Sequence, residues 1–129
     1  MPTQQEIDNL HNSLTTRAQI IQTKVGFTAQ KAMEKQEAQD AKELRRAQLQ
    51  SPIAADRITY TNDAARLSAL MEQTADDVVY QTELQNEYTA TTAKTISEAE
   101  VELNRKLYRA DELLLLYYAN NPTATSGTR

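Results

Sequence analysis

The stretch Thr95–Asn120, TISEAEVELNRKLYRADELLLLYYAN, decides how the chain is read. It ends in the densest apolar patch of the sequence, Leu113, Leu114, Leu115, Leu116, Tyr117 and Tyr118. Upstream, apolar or small residues recur at Ala99, Leu103, Leu107, Ala110, Leu114 and Tyr118, in steps of three and four. That spacing puts them on one side of a helix, and such a stripe must be covered. Asn120, Asn121 and Pro122 then supply stop signals, and a polar tail is predicted over 120–129.

The same pattern precedes it twice. Ile7, Leu10, Leu14, Ala18, Ile21, Val25, Ala29 and Ala32 step by 3, 4, 4, 3, 4, 4, 3. Ala64, Leu67, Met71, Ala75 and Val78 step by 3, 4, 4, 3. These steps define an eleven-residue repeat, about 3.67 residues per turn, and predict a nearly straight stripe. The predicted intramolecular seam is therefore Ile7, Leu10, Leu14, Ile21, Val25, Leu67, Met71, Val78, Leu103 and Leu107.

Local chemistry places the ends. Thr3 and Glu6 have the spacing of a reciprocal capping box. Ser51-Pro52 reads as a boundary, because proline lacks a donor and suits a first helical turn. A second start near Asn62 is the alternative, since Ile58–Thr61 is β-branched and could be extended. Threonines at 89, 91, 92 and 95 weaken helix propensity and make a break near 89–96 an open alternative. Gly26 lies inside the first helix, which is read as continuous.

Together these features predict an all-α chain forming one domain. It is either an elongated helical hairpin, with helices over about 3–50 and 52–119, or a small three-helix bundle. With 2 Gly and 3 Pro in 129 residues, the punctuation of a turn-rich β fold is missing.

Charge and residue inventory exclude more than they name. A net charge of −4 offers no electrostatic footprint for nucleic acid or an anionic membrane. Lys42, Arg45 and Arg46 form a short basic group, read as complementing a helix C-terminus. The longest apolar run is far short of the roughly 20 residues that span a bilayer, and the first ten residues lack the pattern of a secretory leader. With no cysteine, thiolate metal sites and a cysteine nucleophile are absent. His11 is the single histidine, with Asp8 one turn before it, which is too few ligands for a metal site within one chain. Glu98, Glu100 and Glu102 read as a solvated face, Glu102 pairing with Lys106, and Asp76-Asp77 as a similar exposed pair. No phosphate-binding loop or nucleophile motif occurs. The expectation is a non-enzyme with no catalytic residue, cofactor or metal.

Leu113–Tyr118 is apolar on every face of about one and a half turns. One intramolecular contact covers one stripe, so these six residues are the predicted protein interface. The function expected is a helical strut or adaptor in a large homo- or hetero-oligomeric assembly, with a minor virion component preferred. The alternative is a small helical chaperone or regulator docking a partner through 113–118. The expected partners are other proteins, and the expected location is cytoplasm or virion.

Overall fold

The computed structural model describes residues 2–121, which form three helices and no strand. They are α1 (Gln4–Ala55), α2 (Asp63–Asp76) and α3 (Val78–Asn120). The predicted tail from Pro122 onward lies outside the described residues. The chain packs as two compact units. One draws on residues up to Thr28 and from Thr95 on; the other is Ala29–Lys94. The first is an antiparallel pair of helical segments from α1 and α3. The second holds the rest of those two helices and all of α2.

The α1 start follows its sequence. Thr3 N–H donates to Glu6 Oε2 and Glu6 N–H to Thr3 Oγ1, each at 3.2 Å, so two otherwise orphan donors are satisfied. Gly26 leaves the helix unbroken. A Cβ built there meets nothing within 4 Å, and its φ is not positive. Gly26→Ala should therefore stabilise the protein by about 1 kcal/mol, seen as a higher midpoint in a thermal melt.

Ser51-Pro52 is not a boundary: α1 continues to Ala55. Proline forfeits one helical hydrogen bond there, and burial of the next residue offsets the loss, since Ile53 is 2% exposed. The alternative start near Asn62 is the one observed. Asn62 has extended backbone and its Oδ1 accepts from Ala65 N–H at 2.8 Å, a standard N-cap arrangement. Between the helices Asp56 Oδ1 accepts from Thr59 N–H at 3.0 Å.

Nor does the chain break at 89–96; α3 runs through that region. Thr91 Oγ1 donates to the Glu87 carbonyl at 2.8 Å, so this hydroxyl bonds back onto the helix rather than ending it. The break falls at Asp77, whose backbone is extended. Its Oδ2 accepts from Tyr80 N–H at 2.8 Å and caps α3, while Gln81 Nε2 donates to the Thr74 carbonyl at 2.8 Å at the end of α2.

The repeat that organises packing also differs from the expected one. A continuous series of sheltered positions on α1 is Ile7, Leu10, Leu14, Arg17, Ile21, Lys24, Thr28, Lys31, Lys35, Ala38, Lys42, Arg45 and Leu49, with Ser13, Ile20, Ala32, Glu34, Gln39, Ala41 and Ile53 also sheltered on the helix. On α3 the corresponding series is Tyr80, Glu83, Glu87, Ala90, Lys94, Ser97, Val101, Asn104, Tyr108, Asp111, Leu115 and Tyr118, with Thr91, Ala93, Glu100 and Glu112 sheltered beside it. Both series alternate steps of three and four, the seven-residue repeat of a coiled-coil seam. The eleven-residue repeat is thus corrected. Ile7, Leu10, Leu14 and Ile21 do lie on the seam, but Val25, Leu67, Met71, Val78, Leu103 and Leu107 are all exposed. An apolar stripe of 3.67 period drifts off a 3.5-period contact, and the vacated positions carry polar side chains. On α2 it is Leu70 that is buried, about 100° round the helix from the centre of the predicted stripe.

Candidate interaction surface

Polar contacts set which side of α3 meets α1. In the unit containing the chain termini, Asp111 Oδ2 accepts from Ser13 Oγ at 2.8 Å and from Arg17 Nε at 3.0 Å. Ser13 first, then Arg17, hold the Asp111 carboxyl below its ordinary value. Ser97, 2% exposed, lies 2.7 Å from Thr28 Oγ1 and donates to the Lys24 carbonyl at 3.1 Å. Lys24 Nζ bridges to Glu100 at 2.8 Å and lies over the Phe27 ring. Buried hydroxyls and paired charges need partners at defined angles, so these contacts fix the rotation of α3 more sharply than an aliphatic seam would.

The middle unit uses the same device. Lys42 pairs with Glu87 at 2.7 Å, and Gln39 donates to the same carboxylate at 3.1 Å. Arg45 grips Asp77 through Nη2 at 2.7 Å and Nε at 2.9 Å. The Arg45 guanidinium, helped by Tyr80 N–H, holds the Asp77 carboxyl down at about 2. Two sequence expectations are corrected here. Asp77 is not an exposed acid, and Lys42 and Arg45 do not serve a helix end, because α1 continues for ten residues past Arg45. Of the third reading, the Glu102–Lys106 pair is present at 3.1 Å, but Glu100 is not part of a solvated face, because it is partly sheltered and reaches Lys24 on α1.

With that rotation fixed, the terminal apolar segment divides. Leu115 and Tyr118 are half-buried on the seam. They line a shallow cleft of about 360 Å³ with Ile7, His11, Leu14 and Leu116. Leu113, Leu114, Leu116 and Tyr117 are exposed, with the Tyr117 and Tyr118 rings edge to face at 5.8 Å.

The sequence reasoning missed that the exposed apolar residues of α3 form a second seven-residue series. Ile96, Leu103, Ala110 and Tyr117 recur every seven residues, and Leu107 and Leu114 do so beside them. All six are exposed. This stripe lies about 100° round the helix from the seam, beside the contact with α1. Each half-exposed leucine or isoleucine on it forgoes roughly 1 kcal/mol of burial energy. Leu103, Leu107, Ala110 and Leu114 were legible as a stripe; which side of the helix they faced was not.

Among the described residues no group of three or more metal-ligating side chains converges, and no helix is long and apolar enough to cross a membrane. His11 is exposed at the cleft rim. The surface is therefore that of a helical protein whose longest apolar stripe faces outward. Comparison with protein-family models, curated proteins and solved structures yields no match to this chain.

Proposed function

We propose that this chain is a non-enzymatic structural protein, a helical strut that assembles with other proteins through α3, and we carry forward a minor virion component as its setting. The second apolar stripe carries the reading. Two seams on one helix, one polar and satisfied within the chain and one apolar and uncovered, suit a protein completed by assembly. Few large apolar side chains are buried within the units, so a partner on the stripe adds stability by mass action.

The test is sedimentation of the wild type beside a Leu107→Asp, Leu114→Asp variant. The expected result is a defined oligomer or larger assembly for the wild type and a helical monomer for the variant. A wild type that stays monomeric at every concentration overturns the proposal.

One observation favours the second reading, a regulator that docks a target. The cleft of Ile7, His11, Leu14, Leu115 and Tyr118 adjoins exposed Leu116, a shape that suits one apolar anchor of a short peptide. In that case the protein binds one target reversibly and does not assemble with itself.

A further inference from the structure

We infer that the break at Asp77 is a switchable joint: residues 63–120 form two helices while Arg45 holds Asp77, and one unbroken helix when that hold is lost. This goes beyond the assembly reading and does not depend on it. The joint lies wholly within the Ala29–Lys94 unit.

Nothing in the local backbone requires a break. A single residue separates α2 from α3. The segment 74–80, TADDVVY, has no glycine or proline. Asp77 itself takes φ −80° and ψ 118°, a conformation open to any residue. The stripe Ala64, Leu67, Met71, Ala75 and Val78 also crosses residue 77 with its steps of three and four intact. That spacing aligns Val78 with the other four only when 77 is helical. Straightening the joint therefore joins Val78 to Leu67 and Met71, all three exposed, in one continuous apolar face.

What holds the break is tertiary. Arg45 on α1 grips the Asp77 carboxylate at 2.7 and 2.9 Å, and the same carboxylate caps α3 at Tyr80 N–H. The break also decides what α2 turns inward. Carried back from Tyr80 through a continuous helix, the seam falls on Asp76, Gln73, Ala69 and Arg66. The broken chain instead shelters Thr74 and buries Leu70, beside Ala69 and Arg66. Against the break stand two helix ends, whose backbone groups lack helical partners. Arg66 Nε adds to that cost, being buried with no hydrogen-bond partner among the described residues. One buried leucine and one gripped carboxylate thus oppose two helix ends and an orphan donor, and removing the grip shifts the joint toward one helix.

The test is solution NMR of the full labelled chain, reading the Cα secondary shift at residue 77 and amide exchange at Val78 and Val79. In the wild type residue 77 gives an extended shift. Both valine amides exchange fast, because they open α3 and have no helical acceptor. Asp77→Ala should give helical shifts from 63 through 80 and slow exchange at Val78 and Val79 by roughly tenfold or more. Arg45→Gln leaves Asp77 to cap, and should place the shift at 77 between those two states. It carries the test alone if Asp77→Ala does not fold. An extended shift at 77 in Asp77→Ala overturns the inference. Random-coil shifts over 63–76 also overturn it, because α2 then detaches instead of joining α3. A wild-type shift at 77 in Arg45→Gln removes the hold assigned to the ion pair and overturns it as well.

Discussion

Val101→Asp should unfold the helix pair formed by the two ends of the chain, while Leu103→Asp, two residues on, should leave it folded. Val101 is 7% exposed and Leu103 is 56% exposed. An aspartate at 101 would bury a carboxylate on the seam, between the Ser97 and Asn104 positions. Polar groups flank it there, but Ser97 already bonds to Lys24 and Thr28, and Asn104 donates to the Glu100 carbonyl at 2.8 Å. The unpaired charge costs about 3–5 kcal/mol, a large share of the stability of a small helical unit. At 103 the same carboxylate reaches water. Far-UV circular dichroism and thermal melting separate the two: a large loss of helix for Val101→Asp, near wild-type helix for Leu103→Asp. On the proposed function, any fall in melting temperature for Leu103→Asp relative to wild type should depend on protein concentration, since assembly stabilises the wild type by mass action. The eleven-residue stripe requires the opposite ranking, so the pair of substitutions also decides which repeat governs the chain.

Acid should loosen the protein in a defined window, and Asp77 should dominate it. Its carboxylate ion-pairs with Arg45 on α1 and caps α3 through Tyr80 N–H. Its folded value of about 2 lies below the ordinary 3.8. A depressed carboxylate contributes stability that is complete above its unfolded value and is lost as pH falls toward the folded one. Glu87, lowered by Lys42 and then Gln39, and Asp111, lowered by Ser13 and then Arg17, act in the same direction. Melting temperature should thus be level above about pH 5 and drop as pH falls from about 4 toward 2. Asp77→Ala should lower the midpoint at neutral pH and flatten the acid drop. Asp77→Asn keeps a capping oxygen without the charge, and should fall between the two at neutral pH. An unchanged acid profile in Asp77→Ala would show that the other carboxylates carry the effect.

Both expectations rest on seam residues that hydropathy passes over. Leu103, Leu107, Ala110 and Leu114 were correctly grouped on one face of α3, because a 3.6-residue helix brings them together whatever surrounds it. They could not be oriented, because the competing face is built from Ser97, Asn104, Tyr108 and Asp111. Those residues look like a solvated side until Thr28, Lys24, Ser13 and Arg17 are placed across from them. Lysine and arginine also cover apolar surface with their stems while their charges find acids, so Lys24, Lys42 and Arg45 occupy seam positions that a search for leucines skips. Pro52 misled for a related reason: its local cost is real, and only the burial of Ile53 outweighs it.

The sequence by itself determined the all-α class, the capping box at Thr3 and Glu6, the cap at Asn62 as one of two starts, and the surplus of apolar surface near the end of α3. These follow from propensity, local hydrogen bonding and composition, which act within a few residues. The tertiary structure alone decided the seven-residue register, the unbroken course of α3 through 89–96, the break at Asp77, and which face of α3 is left outward. Those depend on long-range pairs such as Ser13 with Asp111 and Arg45 with Asp77. Such a contact outweighs a local preference because a buried polar group must find its partner wherever in the chain that partner lies.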